Sequence, residues 1–371
     1  MITRSVRFHD LPGVHRLAVD RSTRVVEPPD FESSHSALHL AAASAWQDVN
    51  QSVFTFVSRD EDGVAGLAQA TARPGNDAWD LVRLLLRPGA DTTVAQGADE
   101  MLEGIVTAMG SRGGLRTFVR VPVEGDGEAL LARQGFRQYA TEYTLLRDGL
   151  DVTPTPAPAR LEFRQCRPSD AWGIFQLYCA VAPPVVRHAE GLSSKRWGEH
   201  ARPVSLLAGL RRVREVVLVD EGVVVGWARL TPRRGDGDSG VQRLAMMMHP
   251  RAVDALPALL AHVAIVLEAR LDCPTVCTVR AYEETVYNGL IDVGFIAAFE
   301  HALLVKHSVA RVVERQFVAA ALRARGRGLA VSRSPQPVRS AMADLTAGPR
   351  QQPYPLTFIG LEHSLHVRRD D

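Results

Sequence analysis

The sequence predicts a mixed α/β (α+β) protein built from two tandem copies of one domain, each a mostly antiparallel mixed sheet flanked by helices. The first reason is an internal repeat. Arg120 to Arg147 and Arg280 to Lys306 run through the same order of short β-run, helical segment, Gly-Phe and closing strand. Gly135-Phe136 and Gly294-Phe295 mark the copies, 294 − 135 = 159 residues apart. Self-similarity at one spacing marks a structural unit used twice. The second reason is a repeated hairpin, Asp60-Glu-Asp-Gly63 and Asp220-Glu-Gly222, with Gly66 and Gly226 just beyond at 226 − 66 = 160. The third is Thr153-Pro-Thr-Pro-Ala-Pro-Ala159. Alternating prolines remove donors and favour extended backbone, so this reads as a semi-rigid linker at the boundary the repeat requires. The expected organisation is 1–150, a linker at 151–160, 161–308, and a C-terminal arm at 309–371.

In the first copy, Val6-Arg7-Phe8 reads as a short strand and Asp10 to Leu17 as a helix. Ser33 to Trp46 is Ala- and Leu-rich, hence a second helix. Val53 to Val57 is β-branched and aromatic, the composition of a strand. After the hairpin turn, Val64 to Ala72 returns, and Arg73 to Asp77 turns into Trp79 to Arg87. Pro88 and Gly89 stop that strand. Ala98, Met101, Leu102, Ile105 and Met109 then make one stripe of a helix over about Gln96 to Met109. Thr117 to Val121 (strand), Glu128 to Gln134 (helix) and Gln138 to Leu146 (strand) close the copy.

The second copy keeps the order. Leu161 to Arg164 is a strand, and Pro168-Ser-Asp170 leads a helix through Tyr178. A further helical region follows Ala189 and includes Trp197. Glu215 to Val219 and Val223 to Leu230 repeat the hairpin, and Arg233 to Gly240 is a loop. Val241 to Met248 is a strand stopped by Pro250, and Asp254 reads as the cap of a helix whose stripe is Leu256, Leu259, Leu260, Val263, Val266 and Leu267. Thr275 to Val279, Glu284 to Val293 and Ile296 to Lys306 finish it as strand, helix and strand. The arm has no counterpart in the first copy. Val312 to Leu322 has an amphipathic pattern and Pro355 to Leu361 is apolar enough to dock, on the domains or on a second subunit as a homodimer.

Composition narrows the function. A chain of 371 residues suits about two or three domains, and 46% hydrophobic residues suffice for packed cores. Forty-three basic and forty-two acidic residues leave a charge of +1, with no long block of one sign. That argues against nucleic acid, whose affinity comes from clustered Lys and Arg. The N-terminus lacks the apolar core of a signal peptide, and Leu256 to Leu267 is too short to span a bilayer. Cys273-Pro-Thr-Val-Cys277 fits neither a redox pair nor a zinc set, so inert buried thiols and no metal are expected. The expectation is a soluble cytoplasmic protein without membrane or nucleic-acid partners.

Each copy orders its elements as strand, two helices, three-strand meander, helix, strand, helix, strand. With the hairpin Asp60 to Gly66, mirrored by Asp220 to Gly226, and the endings Leu131-Ala-Arg-Gln-Gly-Phe136 and Leu290-Ile-Asp-Val-Gly-Phe295, this resembles the GNAT (GCN5-related N-acetyltransferase) superfamily. The resemblance covers about 1–148 and 160–308. It implies acetyl-CoA or another acyl-CoA as co-substrate and a small amine as acceptor. It also implies that the strand before the central helix offers backbone to the pantetheine, while the turn at that helix's N-terminus holds the pyrophosphate, where free N–H groups and the helix dipole favour an anion.

Carried onto the second copy, the resemblance makes Met246, Met247, Met248, Arg251, Ala252 and Val253 the cofactor-binding candidates and Tyr287 the candidate acid for the leaving thiolate. The family's glycine-rich loop is reduced to Val94-Ala-Gln-Gly97-Ala-Asp99 in one copy and Arg251-Ala-Val-Asp254-Ala-Leu256 in the other. Its tyrosine is replaced by Leu131 and Leu290. At least one copy is therefore expected to be structural, and the alternative is a binding or scaffold protein that has lost the loop. Tyr178 to His188 with Trp197 reads as an acceptor wall or as helix packing, and His188 and His249 are candidate general bases because histidine is the residue type suited to that work near neutral pH.

Overall fold

The computed structural model describes residues 2–20, 24–26, 36–45, 52–73, 77–87, 92–123, 127–150, 158–194, 197, 214–231, 241–266 and 273–308. All the described residues belong to one compact unit, within Met1–Val312. The expected arm, most of the proline-rich linker and the Arg233 to Gly240 loop lie outside the described residues.

The first copy comprises β1 (Ile2–Ser5), α1 (Leu11–Val19), β2 (Arg24–Val26), α2 (Ala37–Ala45), β3 (Val53–Asp60), β4 (Gly63–Ala72), β5 (Ala78–Leu86), α3 (Thr92–Ser111), β6 (Arg116–Pro122), α4 (Gly127–Arg133) and β7 (Arg137–Arg147). The second comprises β8 (Leu161–Gln165), α5 (Ala171–Val181), α6 (Pro184–Glu190), β9 (Arg214–Asp220), β10 (Val223–Thr231), β11 (Gln242–Met248), α7 (Leu256–Val266), β12 (Thr275–Arg280), α8 (Glu284–Asp292) and β13 (Ile296–His307).

Both copies begin with the same device. The Asp10 carboxylate accepts Arg4 Nη1 at 2.7 Å, Arg59 Nη1 at 2.6 Å and the Arg7 N–H at 2.8 Å. Asp170 accepts Arg164 Nη1 at 2.6 Å and the Arg167 N–H at 2.7 Å. These bonds close 3-10 turns at Phe8–Asp10 and Pro168–Asp170, which is why the first strand is Ile2–Ser5 and not Val6 to Phe8. Burial alone would raise the Asp10 carboxyl; Arg4, the Arg7 amide and Arg59 together hold it down at about 2.

The repeated Gly-Phe also has a local cause. Gly135 and Gly294 take φ of 82° and 90°, the left-handed region where glycine carries no side-chain penalty. The Phe136 N–H then bonds Leu131 O at 3.1 Å and the Phe295 N–H bonds Leu290 O at 3.0 Å. This is the six-to-one bond of a Schellman helix stop, with the phenylalanine packed beside the leucine. All four side chains are buried.

A single sheet runs β1-β3-β4-β5-β6-β13-β7-β12-β11-β10-β9-β8, with β2 added on β5. The closing strands are exchanged: β13 of the second copy pairs with β6 of the first, and β7 of the first pairs with β12 of the second. β7 and β13 pair antiparallel at the centre. The cores follow the exchange. Ala302 and Leu304 of β13 pack under α3 with Met101 and Ile105, while Leu145 of β7 packs under α7 with Leu259 and Leu260.

A candidate acyl-transfer cleft in the second copy

The cleft arises where two parallel strands part. β11 pairs with β12 only from Gln242 to Leu244. Backbone direction alternates along a strand. The Gln242 N–H bonds Pro274 O towards β12, and the His249 N–H bonds Val225 O on β10, so even-numbered residues face β12 and odd ones face β10. The backbone groups of Met246 and Met248 therefore point to the β12 side beyond Leu244, where no described strand pairs with them. Their side chains are buried under α7, whereas Met247 turns to the other face, against Trp227 and Tyr178.

The gap leads to a 3-10 turn, Pro250–Ala255, that runs into α7. Its N-cap is His249, whose Nδ1 accepts the Arg251 N–H at 3.2 Å. Asp254 lies within the turn and is exposed, so it does not cap the helix from outside as the sequence had suggested. Arg251 is exposed, Ala252 buried and Val253 half-buried. Tyr287, on α8, is half-buried with its ring 5.0 Å from that of Tyr143.

In the first copy the equivalent gap is filled. β5 pairs with β6 from Ala78 to Leu81 and then parts from it. β2, an element sequence reading missed, pairs with β5 at Leu84 and Leu85 and buries Val26 in the core. The loop text Val94 to Asp99 lies inside α3, which starts at Thr92. The second copy's counterpart of β2, Pro184-Val-Val186, starts α6, which ends at Gly191 with φ of 56°. Beyond it Ser194 and Trp197 are helical, as expected for the region after Ala189, so α6 is a further helix that sequence reading did not separate.

Between the copies a charged ladder follows the exchanged strands. Glu142 on β7 meets Arg120 Nε of β6 at 3.1 Å and Arg280 Nη1 of β12 at 2.9 Å. Arg280 Nη2 reaches Glu190 Oε1 at 3.4 Å, and the Tyr178 hydroxyl donates to Glu190 Oε2 at 2.8 Å. A cavity of ≈ 290 Å³ lies beside it, lined by Arg73, Asp80, Phe118 and Tyr139 among others. Burial pushes the Tyr139 phenol up to about 12.

Tyr178, Trp197 and Trp227 pack ring to ring at 6.0 and 5.5 Å, so the proposed acceptor wall is a packed aromatic cluster. His188 faces His307 at 5.7 Å. Cys273 and Cys277 are buried, as expected, and burial raises the Cys277 thiol. Among the described residues no helix is long and apolar enough to cross a membrane.

Sequence reading also missed Glu283. It occupies the N-cap position of α8 without a side-chain capping bond, is 7% exposed, and its Oε2 accepts the Arg280 N–H at 3.2 Å. Burial pushes this carboxyl up to about 7, the Arg280 amide and charge opposing and Glu142 and Glu190 assisting. Nothing in the local text separates it from the exposed Glu284.

No protein-family model matches the sequence, and no curated protein matches it. Solved structures resemble the fold. A GCN5-related N-acetyltransferase from Sphaerobacter thermophilus superposes with a TM-score of 0.50 at 16% identity, over 82% of this chain and 95% of that one. A tandem GNAT protein from the clavulanic acid biosynthesis pathway gives 0.52 at 13%, over 82% and 98%. A glucosamine N-acetyltransferase region of a fungal multi-domain β-N-acetylglucosaminidase gives 0.53 at 13%, over 82% and 38%. The chain has the fold of the GNAT superfamily.

Proposed function

We propose that the protein is an acyl-CoA-dependent N-acyltransferase acting on a small amine, with the second copy as its working site and the first as structure. One observation carries this: among the described residues no strand pairs with β11 at Met246 and Met248 on the β12 side, while the matching edge of the first copy is occupied by β2. A pantetheine chain carries amides, which such an edge recognises by the same bonds that a strand would make. The likeness to a tandem GNAT protein and to a glucosamine N-acetyltransferase region agrees with this reading.

In this reading Met246, Met247 and Met248 supply the edge and its apolar backing. Arg251, with the Ala252 and Val253 segment of the turn, meets the pyrophosphate. Arg251 is exposed and, among the described residues, no carboxylate pairs with it. Tyr287 is the hydroxyl that protonates the leaving sulfur. Holding amine and thioester together in one cleft lowers the entropic part of the barrier, and the protein must then move one proton off nitrogen and one onto sulfur.

Calorimetric titration of the full chain with acetyl-CoA and with free CoA tests this. Saturable binding is expected, weakened about tenfold by Arg251→Ala through the loss of one charged phosphate contact. Failure of the unmodified chain to bind either ligand at about millimolar concentration would overturn the proposal.

A further inference from the structure

We infer that Glu283 is the general base of the second copy's cleft, accepting the proton that an amine loses as it attacks the acyl carbon. This rests on the acyl-transfer reading above and supplies the group which that reading lacks.

Strand geometry puts the carboxyl in the gap. The Ala281 N–H bonds Thr141 O on β7, so the Arg280 N–H, one residue earlier, faces the opposite way, towards β11. β11 has already parted from β12 there, and Glu283 Oε2 takes the amide that β11 leaves behind. The carboxyl thus lies on the β11 side of β12, the side to which Met246 and Met248 present their backbone groups. Its other oxygen, Oε1, is buried with no hydrogen-bond partner among the described residues. An unmet buried acceptor is costly, so one on the side where β11 and β12 have parted implies an incoming donor.

Burial holds the Glu283 carboxyl near neutrality, at about 7, where a base can both accept and release a proton.

The step balances. Nitrogen forms its bond to the acyl carbon and gives its proton to Glu283. The C–S bond breaks with its electron pair on sulfur, which takes a proton from Tyr287. Glu283 then returns its proton to Tyr287, one helical turn along α8, and both residues are restored. The charged and titratable groups around Glu283 are Arg280, Glu142, Glu190, Tyr282 and Cys277.

The test follows thiol release from acetyl-CoA by the full chain, with 1,3-diaminopropane as acceptor, between about pH 5.5 and 9, beside calorimetry with acetyl-CoA. Glu283→Gln is expected to lower turnover about 100-fold while acetyl-CoA affinity stays within about threefold, and to remove the rise in rate through about pH 7. Glu283→Asp is expected to recover part of the rate. Unchanged turnover or an unchanged pH profile in Glu283→Gln overturns the assignment. So does an unmodified chain that binds acetyl-CoA but releases no thiol. Absence of acetyl-CoA binding overturns instead the acyl-transfer reading beneath it.

Thermal unfolding shows that the variant folds, and its sign is informative. The carboxyl is raised from 4.5 to about 7 in the folded chain. The folded state therefore holds a proton that the unfolded state releases, and stability falls as pH rises through that window. Glu283→Gln is expected to match the unmodified chain below about pH 4.5 and to exceed it above about pH 7.

Discussion

Glu142 and His301 are paired across the seam between the copies, each seven residues after the glycine of its own Gly-Phe (142 − 135 and 301 − 294). They are the same position of the repeat, filled differently. Glu142 lies between two arginines that are also equivalent, 3.1 Å from Arg120 and 2.9 Å from Arg280. His301 Nδ1 is 3.2 Å from Arg120 Nη2. Glu142 and Glu190 together offset the two guanidiniums of Arg120 and Arg280, and the neutral His301 ring adds no further charge to the seam.

Removing that carboxylate leaves cations without their buried partner. Glu142→Gln is expected to cost roughly 3–5 kcal/mol, since breaking one side of a buried ion pair is far costlier than losing an exposed one. Denaturant unfolding measures it. A loss below about 1 kcal/mol would mean that the exchanged strands are held by their ladders and apolar contacts alone.

Acid should loosen the seam in two windows. Burial, with the charge on Arg120, lowers the His301 ring from 6.5 to about 4, against the pull of Glu142. The unfolded chain therefore takes up that proton first, and stability falls as pH drops from about 6.5 to 4. Glu142, held below its usual 4.5 by Arg280 and Arg120 despite burial, adds a loss at lower pH still. Allowing for solvent screening, His301→Gln is expected to remove about 1–2 kcal/mol of the first decline and leave the second. Stability curves from pH 7 down to 3 would show whether the upper window flattens.

Gly13 and Gly173 test the symmetry of the two copies. A Cβ at Gly13 would lie 2.6 Å from Val64 Cγ2, and one at Gly173 would lie 2.7 Å from Val224 Cγ2. Gly13→Ala and Gly173→Ala are each expected to cost about 1–3 kcal/mol by overpacking. Pairing Gly13→Ala with Val64→Ala should recover part of that cost, a coupling a double-mutant cycle reads directly. Unequal costs would show that one copy packs α1 or α5 more loosely on its sheet.

Val26 separates structure from ligand binding. It is 2% exposed and belongs to the first copy's core. Val26→Ala is expected to cost about 1–3 kcal/mol of stability. Acetyl-CoA affinity should not change, because the proposed site lies in the second copy. Weaker binding on this change would move the site to the first copy.

Much of the fold was legible from local chemistry. The hairpins, the Gly-Phe helix stops and the amphipathic stripes of α3 and α7 are decided by turn geometry and periodicity within a few residues. The strand Val6 to Phe8 was misplaced because Asp10 draws that segment into a turn, a signal visible only as the matching Arg4-x-x-Arg7-x-x-Asp10 and Arg164-x-x-Arg167-x-x-Asp170.

The gap that opened this cleft was not legible. Arg24-Val-Val26 and Pro184-Val-Val186 are near-identical text at equivalent positions, yet one is a strand on β5 and the other begins a helix. Pro184 presets a helical first turn, and Pro28-Pro29 bars one after Val26, but only the free edge of β5 makes three residues into a strand. The same holds for Glu283. By sequence alone the chain determined two copies of one unit. Tertiary structure decided that β2 closes the first copy's edge and that, among the described residues, no strand takes the matching edge of the second, because both outcomes depend on where two parallel strands separate.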